Sequence, residues 1–530
     1  MRDRTTTLLR SCYLGGQLTI MPVHQNHLGQ LLFEAGWLPT PAQIASPTSH
    51  DLLPIIQAVW KSCARKSLAA NKRRQAERMR DWIDQQVANG AQLADLDADG
   101  SQTRHWLGER LAWWPRGRPE GSRIGIASSR LGRRVDTQAD WFTVFRAACS
   151  QINRGQDVLL TAIDTTPDRY VQRAAELFDV RVVSVSCPRE SMSVRSWLQS
   201  IRQRDSNPTE AIYRVYVSPE THCSLVDREK PLTLQNVPVR DRVVVSMADR
   251  VLVFQLRRGG QLEKLVRARI EDSVWQSASV FIAIGQDLVE RELAHDLLDR
   301  GAVGWVVLNT LYHEELPRSE SPLYTRAPII ELPSCDNWKW LTHCTRAQPD
   351  GWPDQPQSDY FGELLLSRPA TDHSAFAAVQ RIAAIQRLVA TSRMIRGEVD
   401  AVCFTAVPLN DLPQLRSFRS HLGRWDFEPY GICIRRDWLQ QQRCSPVRYG
   451  DDSLWESLAE EERPFFQVSA SHSHQRGRAI DWTVEDEWRH VGDLDLRKLP
   501  REAGIVFVPT REEAERLAAI SRWPVTILAS

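Results

Sequence analysis

The chain has 530 residues, of which 42% are hydrophobic and 25% charged, a composition typical of globular proteins and a length that suits about three domains. Its 67 Lys and Arg residues against 66 Asp and Glu residues give a formal net charge of +1, which excludes a chain-wide basic field for a polyanionic partner. Any nucleic-acid site must therefore be a local patch. The chain has no apolar run of about 18 residues and no apolar signal core, so we expect a cytoplasmic protein without a membrane span.

Ten cysteines are scattered along the chain and form no Cys-x-x-Cys pair of the kind that binds zinc or acts in redox chemistry. We interpret them as reduced, mostly buried thiols. The sequence therefore indicates no metal site, and it does not identify a cofactor.

Residues 1–118 are predicted to be mainly helical, because residues 27–37 and 51–87 carry apolar side chains at helical spacing. A basic cluster between residues 61 and 80 is interpreted either as a solvated helix face or as a set of phosphate contacts. The segment 115–121, rich in Gly, Pro and Arg, marks the boundary of this region.

A Rossmann-like domain with a parallel sheet is predicted for residues 119–310, since short apolar runs alternate there with amphipathic segments. This alternation is typical of βαβ units. The predicted strands are 124–127, 158–162, 180–185, 212–217, 251–256, 280–284 and 303–308.

The remaining chain is predicted to contain a linker and a separate domain. Residues 311–358 are rich in Pro, Ser, Glu, Asp and Trp and lack sustained periodicity, which favours a long connection. Residues 359–530 begin with a helical pattern and continue with short strand-like runs, which predicts an α+β domain. The fold class is thus α/β, with a helical N-terminal region, a central parallel sheet and a C-terminal α+β domain.

Turns at the ends of predicted strands carry residue types that bind an anionic ligand. Ser128, Ser129 and Arg130 follow the first strand, in a turn that we expect to lead directly into a helix. Free backbone N–H groups and the helix dipole favour an anion at such a position. Asp164 ends the turn after the second strand, at the edge where open parallel sheets collect ligands.

A third group of candidate residues lies on either side of the strand at 251–256. Arg240 and Arg242 precede this strand, and Gly259 and Gly260 follow it. The glycines allow close approach of the backbone to a ligand, and the arginines supply positive charge. The opposing interpretation is that the arginines only pair with local carboxylates and the glycines only turn the chain.

These turns resemble the Rossmann-like superfamily (SLOG) that includes DNA-processing protein A and the LOG-like phosphoribohydrolases. The segments that resemble motifs of DNA-processing protein A are Ser128-Ser129-Arg130, Ala162-Ile163-Asp164, Arg240-Asp241-Arg242 and Gly259-Gly260-Gln261-Leu262. The resemblance implies a nucleotide, a nucleotide-derived signal or a DNA phosphate as ligand. The Gly-Gly-x-Gly-Thr-x-x-Glu loop of the phosphoribohydrolases is missing, so nucleotide hydrolysis by this domain is not expected.

The C-terminal domain concentrates Trp, Arg and acidic residues in residues 424–431 and 481–495. Its strand-like runs and residues 482–489 resemble domains of bacterial abortive-infection proteins. A distant similarity to ADP-ribosyltransferase toxins implies that Glu485 or Glu487 is a catalytic carboxylate that orients a ribose hydroxyl of NAD. The same similarity implies that Arg424 or Arg489 binds phosphate. The other interpretation is a salt-bridge cluster that only holds elements together.

The preferred hypothesis is a sensor–effector protein of bacterial defence or stress. Its central domain would bind a nucleotide or single-stranded nucleic acid, and its C-terminal domain would respond. One alternative is a DNA-binding module without catalysis, to which the basic residues 61–80 add phosphate contacts. Another is an NAD-dependent, ADP-ribosyltransferase-like enzyme in the C-terminal domain. The sequence does not decide the oligomeric state.

Overall fold

The computed structural model divides the chain into two compact units. Unit 1 comprises residues 1–131 and 139–310, and unit 2 comprises residues 132–138 and 311–530. The structure describes residues 27–40, 51–63, 70–96, 104–132, 135, 138–188, 191–203, 211–221, 234, 236–285, 287–306, 326–366, 371–392, 395–419, 424–469 and 483–528. Within these ranges, no helix has the length and apolar composition needed to cross a membrane.

The described part of unit 1 contains helices and nine strands in alternation. The helices are α1 (His27–Glu34), α2 (Leu52–Cys63), α3 (Ala70–Ala88), α4 (Arg104–Leu107), α5 (Ala139–Gln151), α6 (Thr166–Phe178), α7 (Val194–Ile201), α8 (Val239–Met247), α9 (Gln261–Glu271) and α10 (Arg291–Asp299). The strands are β1 (Gln92–Asp95), β2 (Leu111–Trp114), β3 (Ser122–Ser128), β4 (Asp157–Ala162), β5 (Arg181–Ser186), β6 (Ile212–Val217), β7 (Arg250–Gln255), β8 (Val280–Ile284) and β9 (Val303–Val306).

The strands of unit 1 form one sheet with the order β1-β2-β6-β5-β4-β3-β7-β8-β9. Strands β3 to β9 pair in parallel, and β2 and β1 extend the β6 edge by antiparallel pairing. The chain proceeds outward from β3 to β6, then returns to add β7, β8 and β9 on the other side of β3. This doubly wound order confirms the predicted Rossmann-like α/β fold.

Helices cover both faces of the parallel sheet. One face packs against α8, α9 and α10, whose apolar residues join those of the strands in a common core. On the other face, α5 and α6 contribute an aromatic cluster in which Trp141 contacts Phe145, Tyr170 and Phe254. Because both faces are buried, the central strands are apolar throughout, which explains why their sequences show continuous apolar runs.

The structure differs from the helical prediction for residues 1–118, because β1 and β2 belong to the central sheet. Leu111 and Trp113 of β2 enter the core formed with the N-terminal helices, whereas Ala112 and Trp114 enter the core of the parallel sheet. All four side chains are buried, so the strand lacks the alternation of apolar and polar residues that reveals a half-buried strand.

Unit 2 is built around an eight-stranded mixed sheet with the order β10-β23-β22-β16-β11-β13-β20-β17. Its helices are α11 (Gln357–Leu366), α12 (Ala375–Ile385), α13 (Leu412–Leu415), α14 (Arg436–Gln441), α15 (Asp452–Ser457) and α16 (Arg511–Ala518). Its strands are β10 (Ile329–Ile330), β11 (Trp340–Cys344), β12 (Arg387–Leu388), β13 (Ala401–Thr405), β14 (Ser417–Arg419), β15 (Arg424–Asp426), β16 (Gly431–Arg435), β17 (Ser445–Pro446), β18 (Arg448–Gly450), β19 (Phe466–Val468), β20 (Glu487–Val491), β21 (Leu494–Asp495), β22 (Gly504–Val508) and β23 (Val525–Ile527).

The linker predicted for residues 311–358 contains two strands of this sheet. Strand β11 lies in its interior, between β16 and β13, and β10 pairs with β23. The sequence of β11, Trp-Leu-Thr-His-Cys, does not alternate apolar and polar residues, so it shows no strand signal of its own. Long-range pairing with two neighbouring strands makes it a strand.

Gly125 in β3 allows α8 to pack closely on the sheet. A Cβ atom at this position would lie 2.8 Å from Cβ of Ala248 and 3.2 Å from the carbonyl oxygen of Val244. We therefore expect Gly125→Ala to lower the free energy of unfolding by about 1–3 kcal/mol, since the core has no space for the methyl group. Calorimetric unfolding of the full-length chain measures the change. Gly155→Ala, whose added methyl group would meet Asn153 Oδ1 at 3.7 Å, is the control, and an equal effect of both substitutions would contradict the prediction.

Candidate functional site

The carboxyl ends of β3 and β7 meet at the point where the strand order reverses, which is where doubly wound sheets bind ligands. The Ser129 N–H donates to the Gln255 carbonyl (2.8 Å), and the Arg257 N–H donates to Ser129 Oγ (3.1 Å). The Arg257 guanidinium donates to the Arg130 carbonyl (3.0 Å). These bonds join the two turns. We name residues 128–130, 164, 240–242 and 257–260 the switch-point edge.

Ser128 and Ser129 do not lie at a helix N-terminus, which corrects the prediction for this turn. Helix α5 begins only at Ala139, because the residues with helical apolar spacing begin at Trp141. The indole N–H of Trp141 donates to Ser128 Oγ (3.0 Å), and this hydroxyl donates to the Ser129 carbonyl (3.0 Å). Both serine hydroxyls are therefore engaged within the protein, and the exposed side chain of the turn is that of Arg130.

Arg240 and Arg242 have different surroundings at the N-terminus of α8. Arg242 is buried, and its guanidinium donates to the carbonyls of Val237 (3.1 Å) and Trp106 (2.7 Å), so it anchors the helix. Arg240 is partly exposed, and its Nε lies 3.8 Å from Asp241 Oδ1. Arg240 is thus the arginine of this pair that remains accessible to a ligand.

Asp241 shows that Arg130 and Arg240 lie near each other. Burial raises the pKa of its carboxyl group, and the positive charges of Arg240 and Arg130 oppose the rise. Arg130 therefore lies close enough to the N-terminus of α8 for its charge to act on the Asp241 carboxyl group. Asp164 lies at the end of β4 with an exposed side chain and a left-handed backbone (φ 66°), so the edge also carries an accessible carboxylate.

Gly259 and Gly260 form a tight turn before α9. Gly259 has φ 74°, and its N–H donates to the carboxylate of Glu263, which also accepts a bond from Arg267 Nε (2.8 Å). A Cβ atom at Gly260 would lie 2.9 Å from the Arg257 carbonyl oxygen. Glu263 already supplies a negative charge at the N-terminus of α9. The contacts of Gly259 and Gly260 therefore agree with the interpretation that these glycines only turn the chain.

Sequence reasoning missed Arg110 and Cys187 near the same edge. Arg110 is buried and donates to the carbonyls of Leu107 (2.7 Å) and Ser218 (2.8 Å). Burial raises the pKa of the Cys187 thiol to about 12, an effect that the charges of Arg110 and Arg240 oppose. Cys187 is therefore an unreactive thiol beside a group of arginines. No local sequence signal identifies Arg110, because it precedes a strand in a region predicted as helical.

In unit 2, Glu487 and Arg489 lie on one face of the sheet. Strand β20 pairs with β13 so that Thr405 faces Glu487 and Cys403 faces Arg489. Cross-strand partners share a face, so these four side chains are neighbours. We name Glu485, Glu487, Arg489 and Cys403, together with Arg346 and Arg419, the Glu485 cluster.

Arg489 is buried, and its side chain is saturated with hydrogen bonds. Nε and Nη2 donate to the two carboxylate oxygens of Glu487 (2.8 and 3.0 Å), and Nη2 also donates to Gln467 Oε1 (2.7 Å). Nη1 donates to the carbonyls of Pro464 (2.8 Å) and Phe466 (2.9 Å). A guanidinium has five N–H donors, so none remains for a phosphate. Arg489 therefore positions Glu487 and is not itself a ligand contact.

Glu485 ends a 3₁₀ turn directly before β20. Burial, together with the negative charges of Glu487 and Asp426, raises the pKa of its carboxyl group to about 7, although Arg419 opposes the rise. Arg419 Nη2 lies 3.9 Å from Glu485 Oε1, and its Nε donates to Asp426 Oδ2 (2.7 Å). The cluster thus combines a carboxyl group that gains or loses a proton near neutral pH with a salt-bridged carboxylate. This division of roles suits general acid–base chemistry.

Cys403, Arg346 and Arg419 are the members of the cluster that the sequence did not reveal. Desolvation and the nearby charge of Glu487 raise the pKa of the Cys403 thiol to about 12. The charge of Arg346 lowers the pKa of both Glu485 and Cys403. Within the part of the chain that the structure describes, the Arg346 side chain forms no hydrogen bond or ion pair. Arg346 thus offers the free cation that Arg489 does not.

Two further sequence predictions concern residues of unit 2. Arg424 begins β15, but its side chain lies outside the described residues. Across the described ranges, no group of three or more His, Cys, Asp or Glu side chains is arranged to bind a metal ion.

The chain matches no protein-family model and no curated protein. Among solved structures, it is similar to DNA processing protein A (DprA) from Streptococcus pneumoniae, with 11% sequence identity and a TM-score of 0.26, over 53% of this chain and 89% of that chain. The strand order of unit 1 defines it as a doubly wound, Rossmann-like α/β unit in which the order reverses between β3 and β7.

The raised pKa of Glu485 predicts that the stability of unit 2 depends on pH. The folded value of about 7 exceeds the ordinary value of 4.5, so between these values the folded chain holds a proton that the unfolded chain has released. The free energy of unfolding therefore falls as the pH rises through this window. We expect Glu485→Gln to remove about 2–3 kcal/mol of the fall between pH 5 and pH 8.

Calorimetric unfolding of the wild type and of Glu485→Gln at both pH values measures this difference. Glu502→Gln, at an exposed position of the same unit, is the matched control and should keep the pH dependence of the wild type. The same pH dependence in the wild type and in Glu485→Gln would refute the assignment.

Proposed function

We propose that unit 1 binds a nucleotide or a single-stranded nucleic acid through phosphate groups at the switch-point edge. The observation that carries the proposal is the convergence of Arg130 and Arg240 beside the N-terminus of α8, at the reversal point of a doubly wound sheet. Two accessible guanidinium groups and a helix N-terminus attract the same anion. Asp241 forms an ion pair with Arg240, with 3.8 Å between Oδ1 and Nε.

The wider proposal is a sensor–effector protein of bacterial defence or stress. It is supported by the occurrence, in one chain, of a ligand edge in unit 1 and an acid–base cluster in unit 2. It is also supported by the resemblance of residues 482–489 and the neighbouring runs to abortive-infection proteins. In this proposal unit 1 receives the signal and unit 2 carries out the response.

The first prediction of this proposal concerns Arg130 and Arg240. A ligand that binds only the folded state at 100 times its dissociation constant adds about 2.7 kcal/mol to the free energy of unfolding. We expect nucleotides or short single-stranded DNA to raise the melting temperature of the wild type more than that of Arg130→Ala/Arg240→Ala, because the double variant lacks the edge site. Arg291→Ala is the control, because the Arg291 side chain is 87% exposed on α10. A full shift in the double variant would disprove binding at this edge.

Salt dependence separates a mononucleotide site from the alternative of a DNA-binding module without catalysis. The structure exposes Arg74 and Arg78 on α3, so the basic residues 61–80 include side chains that reach solvent. A module that uses these arginines together with the switch-point edge would contact several phosphates. Its affinity for DNA would then fall steeply as the salt concentration rises. A pocket for one nucleotide loses less affinity and prefers one base or phosphate arrangement.

A second candidate function is an NAD-dependent, ADP-ribosyltransferase-like reaction in unit 2. It is favoured by the Glu485 cluster, in which Glu487 is fixed by Arg489 and Glu485 exchanges a proton near neutral pH. Glu487 would accept a hydrogen bond from a ribose hydroxyl of NAD, and Arg346 would contact a phosphate. Glu485, in its ionised form, would take a proton from the water that attacks C1′ of the ribose, while the electron pair of the broken bond leaves with nicotinamide, which departs as a neutral molecule.

Release of nicotinamide from NAD tests this second candidate. Proton transfer by a positioned side chain contributes a factor of about 100 to 10,000 to a rate, so Glu485→Gln should lower the rate by that factor. Glu502→Gln should retain the wild-type rate. A wild-type chain that releases no nicotinamide, or a Glu485→Gln chain that releases it at the wild-type rate, would rule out the reaction at this cluster.

A further inference from the structure

A pocket of about 450 Å³ lies between two helices of unit 1. Helix α3 contributes Arg78 and Trp82, which are four residues apart and so share a helix face. Gln199 on α7 forms the remaining wall with Arg202 and Gln203, which follow the end of that helix. The pocket is therefore formed by one face of α3 and by the C-terminal end of α7.

The pocket lies at the edge of the sheet opposite to the switch-point edge. Helix α7 leads from the end of β5 to the start of β6, and these strands are parallel. The C-terminal end of α7 must therefore lie where the strands begin, whereas residues 128–130 lie where β3 ends. The two positions are separate sites of the same unit.

Trp82 offers a fixed aromatic surface. Its ring stacks on Trp113, with 5.9 Å between centroids and 22° between planes, and it meets the edge of Trp37 at 5.2 Å. Both neighbours are buried, so they hold the half-buried indole in place while it lines the pocket. A fixed indole is a surface on which a nucleobase stacks.

The lining of the pocket is cationic and contains no carboxylate. Within the described ranges, neither of its arginines forms a side-chain hydrogen bond or an ion pair. The aspartates of α3 have other partners, since Asp81 Oδ1 lies 3.7 Å from Arg80 and Asp84 accepts a bond from Gln57 (2.7 Å). Two uncompensated guanidinium groups beside an indole suit a ligand that combines an anion with an aromatic ring.

We propose that this pocket binds one nucleotide unit, with its base on Trp82 and its phosphate between Arg78 and Arg202. Gln199 and Gln203 supply amide groups that donate to and accept from the edge of the base. The volume suits a ligand of this size, since small-molecule pockets span about 300–1,000 Å³. A free mononucleotide and one residue of a single strand offer the same chemistry. The site is additional to the switch-point edge and does not depend on it.

Titration calorimetry of the full-length Arg130→Ala/Arg240→Ala variant tests the pocket in the absence of the first site. We expect one AMP to bind per chain and ribose 5-phosphate to bind about tenfold more weakly, because it lacks the base that stacks on Trp82. Adding Arg78→Ala/Arg202→Ala should weaken AMP binding by at least about tenfold. Arg291→Ala, at an exposed arginine of α10 outside the lining, is the control and should leave it unchanged.

A deoxyadenosine decamer in the same titration distinguishes the two sources of the ligand. Tighter, salt-sensitive binding of the decamer identifies a single strand, whereas equal affinities identify a mononucleotide. Equal affinities for AMP and ribose 5-phosphate would overturn the stacking role of Trp82. AMP binding that is unaffected by Arg78→Ala/Arg202→Ala would overturn the site. Because the edge arginines are already replaced, neither result depends on the proposed function of the edge.

Discussion

The position of the switch-point edge depends on the close packing of α8 on β3. Strand β3 is central, with β4 on one side and β7 on the other, and its Gly125 leaves room for Ala248 and Val244. Helix α8 connects β6 to β7, so its N-terminus lies at the carboxyl edge and its C-terminus at the opposite edge. Close contact along β3 therefore places Arg240 over the point where the strand order reverses. The position of the edge follows from the packing of apolar residues.

Burial separates the arginines of this protein into two groups with different roles. A buried guanidinium is costly unless its donors are satisfied, and Arg110, Arg242 and Arg489 each donate to backbone carbonyls of distant segments. These residues hold loops and helices in place. Arg130 and Arg346 make no such bonds, so their charges remain available to a ligand. Buried guanidinium groups thus act as structural anchors in both units, whereas accessible guanidinium groups are candidate binding groups.

The sequence predicts the parallel sheet well because its signal is local. Strands buried on both faces are short apolar runs, and the predicted run 158–162 corresponds to β4 at Asp157–Ala162. Strands β2 and β11 escaped prediction because their pairing partners are distant in sequence and their own residues show no strand period.

In unit 2, local sequence predicts which residues belong to the candidate site, whereas long-range contacts decide their roles. Residue type and spacing were enough to bring Glu485, Glu487 and Arg489 together as a candidate group, and they are neighbours in the structure. Their roles depend on partners elsewhere. The carbonyls of Pro464 and Phe466 consume the remaining donors of Arg489, and no spacing rule in the sequence anticipates them. Arg346, which the sequence placed in a linker, joins the group through the pairing of β11.

Arg346 also links ligand binding to proton transfer in the second candidate function. Its positive charge lowers the pKa of Glu485, which burial raises to about 7. A phosphate held by Arg346 would offset that charge, and the pKa of Glu485 would rise further. Binding of the substrate would then make Glu485 a stronger base toward the attacking water. In this candidate function, the free cation would therefore couple ligand binding to the basicity of Glu485.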